Sequence, residues 1–188
     1  MATPQPKITL YTDMDFKGCS KDVTEPYYSL CFTGFNNRVS SVEVHSGLWV
    51  LYQHSFLGGK IYVVWEGQKI NLPCEADDTI SSLKPIDFDF RASPSSTIYE
   101  HKCFAGQNKR FDGVIRISDL SDFCFNDKVS SLIVHSGGYV GYEHANFKGK
   151  QYLFLTGRHN GSASEGCYKH DAISSWAPIV LPPHPSFV

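Results

Sequence analysis

The sequence contains no run of basic residues, no long apolar stretch and no Cys-x-x-Cys pair. Lys and Arg number 17 against 19 Asp and Glu, which gives a formal net charge of −2, so no nucleic-acid partner is expected. No segment approaches the roughly 20 consecutive apolar residues that cross a bilayer, so no transmembrane segment is expected either. The cysteine spacing does not predict a structural zinc site.

Helical periodicity is also missing, because apolar residues nowhere recur at helical spacing over three turns. At most one short helical turn is expected, near residues 118–120. Residues 1–6 lack the charged and apolar regions of a secretory signal, which predicts a cytoplasmic protein, or a secreted one if Met1 is not the natural start. The six cysteines would then be mostly reduced, although their even number leaves disulfides open.

The sequence does contain a six-residue segment, called a phrase below, that occurs four times with the same pattern. Side-chain oxygens stand at positions one, two, five and six around a β-branched residue at position four, with His170 the exception at position one. Such oxygens suit calcium, which takes 6–8 oxygen ligands at about 2.3–2.6 Å, but one copy offers too few. The phrases are therefore predicted to cooperate in pairs; they occupy residues 36–41 (NNRVSS), 77–82 (DDTISS), 126–131 (NDKVSS) and 170–175 (HDAISS).

A second repeat precedes each phrase: a tyrosine, an aromatic residue five positions later and a glycine two positions beyond that. The second copy is imperfect, with Leu57 in the place of the aromatic and Phe56 one position early. Four copies of a unit of about forty residues, arranged as two pairs, account for nearly the whole chain. Its copies begin with Tyr11-Phe16-Gly18, Tyr52-Leu57-Gly59, Tyr99-Phe104-Gly106 and Tyr142-Phe147-Gly149.

The remaining pattern predicts an all-β chain. Short segments rich in β-branched and aromatic residues alternate with glycine-bearing turns, as in antiparallel sandwiches. The predicted strands are residues 7–11, 39–44, 49–52, 60–64, 129–134, 139–142 and 151–155.

The two repeats together resemble the βγ-crystallin superfamily over roughly residues 7–180. The resemblance implies four Greek-key motifs in two β-sandwich domains, and a non-enzymatic Ca²⁺-binding protein from outside the lens. We expect a monomer or weak dimer. The predicted organisation is an N-terminal domain at 1–87 (motifs 7–46 and 47–87), a linker at 88–96, a C-terminal domain at 97–180 (motifs 97–136 and 137–180) and a tail at 181–188.

The resemblance also implies a ligand scheme with two calcium sites per domain. Position three contributes its main-chain carbonyl, position five its hydroxyl, and position two of the partner motif its side chain. The residue after the leading tyrosine adds a carbonyl, and waters complete the shell. The N-terminal sites would be Thr12, Arg38, Ser40 and Asp78, and Gln53, Thr79, Ser81 and Asn37. The C-terminal sites would be Glu100, Lys128, Ser130 and Asp171, and Glu143, Ala172, Ser174 and Asp127.

Three alternatives to calcium binding stay open at this stage. Asn, Asp and Ser side chains also stabilise turns without any metal, which would fit a purely structural crystallin. The chain could instead be a protein-interaction module, such as a subunit of a membrane-active complex or a protease inhibitor. An inhibitor would need a rigid exposed loop unique to one motif, for which residues 102–111 are the candidate.

Catalysis is not expected from the histidines. His45 and His135 occupy equivalent repeat positions, and His54, His101 and His144 each follow a leading tyrosine by two. Residues repeated by the architecture indicate a structural role, whereas catalysis requires a unique convergent constellation.

Overall fold

A computed structural model describes residues 5–160 and 171–182. Contacts divide the chain into an N-terminal unit that ends at Phe88 and is joined by Leu181 and Pro182, and a C-terminal unit from Asp89 to Val180. The described residues form strands and short 3₁₀ turns without an α-helix, which confirms the all-β prediction. No helix in these ranges is long and apolar enough to cross a membrane.

The N-terminal unit consists of two antiparallel sheets that exchange segments. One sheet has the order β2-β1-β3-β6 and the other β5-β4-β7. The short strand β6 belongs to the second motif but pairs with β3 of the first. In the opposite direction, Tyr27 of the first motif forms a β-bridge with Leu83 of the second. This exchange is the Greek-key crossover. The strands are β1 (Lys7–Asp13), β2 (Lys17–Val23), β3 (Ser41–Ser46), β4 (Leu48–His54), β5 (Gly58–Trp65), β6 (Lys69–Asn71) and β7 (Ser82–Ile86).

The C-terminal unit repeats this arrangement with longer, bent strands. The first half of β10 pairs with β8 and its second half with β12, while β11 pairs with both halves. Ile117 bridges to Trp176 as Tyr27 does to Leu83. The strands are β8 (Ser95–His101), β9 (Ala105–Asp112), β10 (Ser131–His144), β11 (Lys148–His159) and β12 (Ser175–Pro178).

Each unit has its own hydrophobic core, and each phrase is anchored in it. The first core surrounds Trp49 and the second surrounds Trp176, both fully buried. The β-branched residues at position four are also fully buried there, so positions two, three and five lie at the rim of the core, where the chain turns. These anchors are Val39, Ile80, Val129 and Ile173. The strands predicted at 39–44 and 129–134 begin two residues later in the structure, at Ser41 and Ser131, because positions four and five still belong to the turn.

The aromatic-glycine repeat forms a folded hairpin at each copy. The leading tyrosine meets the following phenylalanine edge to face, at ring-centroid distances of 5.9, 5.7 and 5.5 Å in the first, third and fourth motifs. In the second motif Leu57 takes this place, with φ of 62° matching the 60–61° of the three phenylalanines. Phe56 is left exposed.

The prediction of a loop unique to the third motif at residues 102–111 is wrong. Residues Lys102–Phe104 form the same hairpin turn as in the other motifs, and the segment continues as β9. Phe104 packs against Tyr99, and its N–H is bonded to Ser131 Oγ at 3.0 Å. A short helical turn was expected near residues 118–120, and a 3₁₀ turn lies at Leu120–Phe123 with Asp119 as its cap.

Candidate metal centre

Position two of every phrase lies in the left-handed region of the backbone. Its φ is 52° at Asn37, 53° at Asp78, 50° at Asp127 and 56° at Asp171. Apart from glycine, Asn and Asp tolerate this conformation best. The turn therefore favours Asn or Asp at this position whether or not a metal binds.

Position five supplies a nearly buried hydroxyl that meets position two of the other motif. Each serine is only 5–7% exposed. Its Oγ lies 2.7–3.5 Å from an oxygen of the partner side chain, across 38 to 47 residues of chain, which brings together two of the four predicted ligands at every site. The pairs are Ser40–Asp78 (3.5 Å), Ser81–Asn37 (2.8 Å), Ser130–Asp171 (2.7 Å) and Ser174–Asp127 (3.1 Å).

The predicted main-chain ligands lie along the same rim. At all four sites the serine N–H donates to the carbonyl of the leading tyrosine. This bond places the serine beside the residue that follows the tyrosine, namely Thr12, Gln53, Glu100 or Glu143. Two of those carbonyls accept directly from the serine hydroxyl, Thr12 O at 3.0 Å and Glu143 O at 2.8 Å. The position-three residues, whose carbonyls are the remaining predicted ligands, lie on the turn between positions two and five: Arg38, Thr79, Lys128 and Ala172.

Position six has a different role, which the sequence did not reveal. These serines are completely buried. Each hydroxyl donates to a carbonyl at 2.6–2.7 Å and accepts from a hairpin N–H at 3.0–3.1 Å, so it fastens the folded hairpin to the phrase. The accepting carbonyls belong to Asp13 for Ser41, His54 for Ser82, His101 for Ser131 and His144 for Ser175. The donating N–H groups belong, in the same order, to Phe16, Leu57, Phe104 and Phe147.

Position one differs between the units. In the N-terminal unit Asn36 Oδ1 and Asp77 Oδ1 are buried without a hydrogen-bond partner among the described residues. Asn126 instead donates to Asp127 Oδ2 at 3.1 Å, and His170 lies outside the described residues. Since an unsatisfied buried oxygen costs about 1–3 kcal/mol, the N-terminal rim has spare acceptor capacity for a cation.

The donor chemistry of the rim is that of a hard cation. Each set contains a serine hydroxyl, main-chain carbonyls and one carboxylate or amide. Over residues 5–160 and 171–182 no three His, Cys, Asp or Glu side chains converge as metal ligands. The five cysteines in these ranges are free thiols, and Cys167 lies outside them. The residues thus fit calcium with few liganding charges, which favours modest affinity.

Comparison with known proteins identifies the family. The Beta/Gamma crystallin family model matches residues 7–86 and again residues 95–179. The chain belongs to the β/γ-crystallin family. Beta-crystallin B2 of Aquarana catesbeiana is 32% identical over 182 residues, covering 92% of this chain and 84% of that protein.

Two solved structures resemble this β/γ-crystallin. One is a βγ-crystallin from Ciona intestinalis, 29% identical with a TM-score of 0.41, which covers 45% of this chain and 99% of its own. The other is protein S complexed with calcium, 19% identical with a TM-score of 0.42, which covers 93% of this chain and 99% of its own. The calcium in that structure is a property of protein S.

Two of the repeated histidines of this β/γ-crystallin, His45 and His135, are exposed and contact a threonine hydroxyl at equivalent positions. Thr9 Oγ1 donates to Asp22 at 2.6 Å and lies 2.8 Å from His45 Nε2, and Thr97 lies at the same distance from His135. Hydrogen bonds from the Lys7 ammonium and the Thr9 hydroxyl lower the pKa of Asp22. Because the Thr9 proton is directed to Asp22, His45 is not placed to remove it. The absence of enzymatic activity stays a prediction, as does a cytoplasmic location.

Proposed function

We propose that this β/γ-crystallin binds calcium at up to two sites per domain and has no catalytic role. The observation that carries the proposal is the pairing of position five with position two of the other motif at all four rims. A turn that only needed an Asx residue and a nearby serine could satisfy both within one motif. Pairing across motifs gathers oxygens that are about forty residues apart.

The available oxygens support the same proposal. On binding, the serine would turn its proton away and offer a lone pair, since a hydroxyl is both donor and acceptor. The Thr12 and Glu143 carbonyls already lie within 3.0 Å of that hydroxyl. The unpartnered Asn36 and Asp77 oxygens lie one residue from the position-two ligands of the N-terminal rim. Calcium supplies a positive charge that holds the two loops of each site together.

Isothermal titration of metal-stripped protein with calcium tests the proposal. We expect binding of up to four ions, and weaker binding of magnesium, which demands stricter octahedral geometry and gives up water reluctantly. A titration without calcium binding would refute the proposal.

A purely structural crystallin is the second candidate function. It is favoured by the φ values of 50–56° at position two, which call for Asn or Asp without any metal. It is also favoured by the serine–Asx contacts of 2.7–3.5 Å, which pair positions two and five in the absence of an ion. This candidate predicts that calcium leaves the stability of both domains unchanged.

The proposed sites differ in one charge, which leads to a prediction. Asn37 brings a neutral amide to the site of Ser81, whereas the other three sites receive a carboxylate. Asn37→Asp should tighten that site by about 1 kcal/mol, roughly fivefold in Kd, because it adds one liganding charge in a partly exposed setting. Titration calorimetry measures the change.

The matched control for Asn37→Asp is Asn36→Asp, one position away on the same turn. It adds the same charge without changing the position-two ligand, and we expect a much smaller effect on affinity. A larger effect for Asn36→Asp would mean that the assigned roles of positions one and two are reversed.

A further inference from the structure

Three exposed aromatic residues lie on two touching loops of the N-terminal domain. Phe32 is 100% exposed, Phe56 80% and Tyr28 56%. The Phe56 N–H donates to Tyr28 O at 2.6 Å, and the Ser29 and Ser55 hydroxyls meet at 3.3 Å. Phe32 follows within the turn closed by the bond from Thr33 N to Leu30 O. We refer to Tyr28, Phe32 and Phe56 as the aromatic patch.

The fold does not require the aromatic patch, because the C-terminal domain replaces it with polar residues. The contact between Phe56 N and Tyr28 O recurs there as Asn146 N to Ser118 O at 2.7 Å, which fixes the equivalence. Counting along the two loops from this contact pairs Phe32 with Asp122. The polar counterparts of the patch are thus Ser118, Asp122 and Asn146.

Phe56 also adopts a backbone conformation that does not suit it. Its φ is 59°, in the left-handed region where a bulky residue is an outlier. The equivalent positions have the same φ and hold Asp15, Cys103 and Asn146. With a side chain 80% exposed, Phe56 gains little packing in return. Backbone strain of this kind concentrates at functional sites.

The two loops that carry the aromatic patch contain no acidic residue. Residues 28–38 and 53–60 include two exposed cationic side chains, Arg38 and Lys60. The equivalent C-terminal segments, 118–128 and 143–150, contain three lysines and four acidic residues, namely Asp119, Asp122, Asp127 and Glu143. The two segments that carry the patch therefore combine exposed aromatic rings with two cationic side chains, Arg38 and Lys60 at the start of β5, which suits the interface of an anionic bilayer.

Three acidic residues adjoin the two segments: the exposed Glu25, three residues before Tyr28, and Asp77 and Asp78 of the phrase that bonds both of them. Ser81 of that phrase bonds the Leu30 N–H, and Ser82 bonds the Leu57 N–H. Asp77 in the same phrase has one carboxylate oxygen completely buried, and Asp78 faces Ser40.

We propose that the aromatic patch docks the N-terminal domain onto a membrane surface rich in anionic phospholipid. Three aromatic side chains of about 150–250 Å² each supply at most about 750 Å², which is less than the roughly 800 Å² that each partner of a standard protein interface buries. A bilayer interface needs no complementary shape, accepts aromatic rings and attracts Arg38 and Lys60. The proposal does not depend on calcium binding.

The test is sedimentation of the full chain with vesicles in chelator. Vesicles of phosphatidylcholine with phosphatidylserine should bring down more protein than phosphatidylcholine alone, and added salt should reduce the difference. Phe32→Ser and Phe56→Asn should each lower the bound fraction severalfold. Phe56→Asn should also raise the unfolding midpoint, because Asn tolerates the left-handed conformation, so its loss of docking would not come from misfolding.

Val114→Ser serves as the control, because Val114 is 66% exposed in the C-terminal domain and lies outside the patch. It should sediment like the unmodified chain. Absence of binding to phosphatidylserine vesicles, or equal losses in the control and in the phenylalanine variants, would overturn the proposal. So would light scattering that showed a dimer abolished by Phe32→Ser while vesicle binding stayed unchanged, because the patch would then be a contact between copies.

Discussion

Ser131→Ala should destabilise the C-terminal domain by about 1–3 kcal/mol, in chelator and in calcium alike. The Ser131 hydroxyl is completely buried and connects His101 O with the Phe104 N–H. Removing it takes the Ser131 partner from both part-buried main-chain groups and leaves a small gap where the hydroxyl was. Urea unfolding followed by tryptophan fluorescence measures the loss.

The matched control is Ser130→Ala, one residue earlier. Ser130 is the proposed calcium ligand and lies at the rim, where its Oγ meets Asp171 at 2.7 Å. Its removal should cost less in chelator than Ser131→Ala and should reduce the stabilisation gained from calcium. If the two variants lost the same stability in chelator and gained the same from calcium, positions five and six would not have separate roles.

Calcium should raise the stability of both domains, by about 2.7 kcal/mol for each site when free calcium is 100-fold above Kd. The physical reason is that the folded rims bring together ligands such as Ser174 and Asp127, which are 47 residues apart along the chain. An unfolded chain offers no such pairing. Unfolding midpoints in calcium and in chelator measure the effect, with magnesium as the control cation. Equal midpoints in calcium and chelator would contradict it.

The repeats predict the fold because each of them reflects a local conformation that only certain residue types can adopt. The hairpin needs a tyrosine, a packed partner and a glycine with positive φ, as at Gly106 (79°). The phrase needs an Asx residue in the left-handed region and a buried β-branched residue such as Val129. Strand β6 was not predicted, because its three residues pair only through the crossover to β3, a long-range contact.

The sequence was less informative about which oxygens do what. The serines at positions five and six are identical in type and adjacent, yet Ser131 is consumed by hairpin hydrogen bonds while Ser130 faces Asp171. The two roles can be told apart only from the folded hairpin, which places its main-chain groups against Ser131. The repeat pattern does not reveal the aromatic patch, because it shows Phe56 only as an aromatic residue one position early, whereas in the structure Leu57 takes the phenylalanine position and Phe56 is exposed.

The central claim is that each calcium site joins position five of one motif to position two of the other. Calcium stoichiometry of two double variants, measured by titration calorimetry, tests it most directly. Ser130→Ala with Asp171→Gly should remove one site, because both residues serve the same rim and glycine keeps the left-handed backbone while removing the ligand. Ser130→Ala with Asp127→Gly should remove two, because Asp127 serves the rim of Ser174. The reverse pattern would contradict the account, since each site would then be built within a single motif.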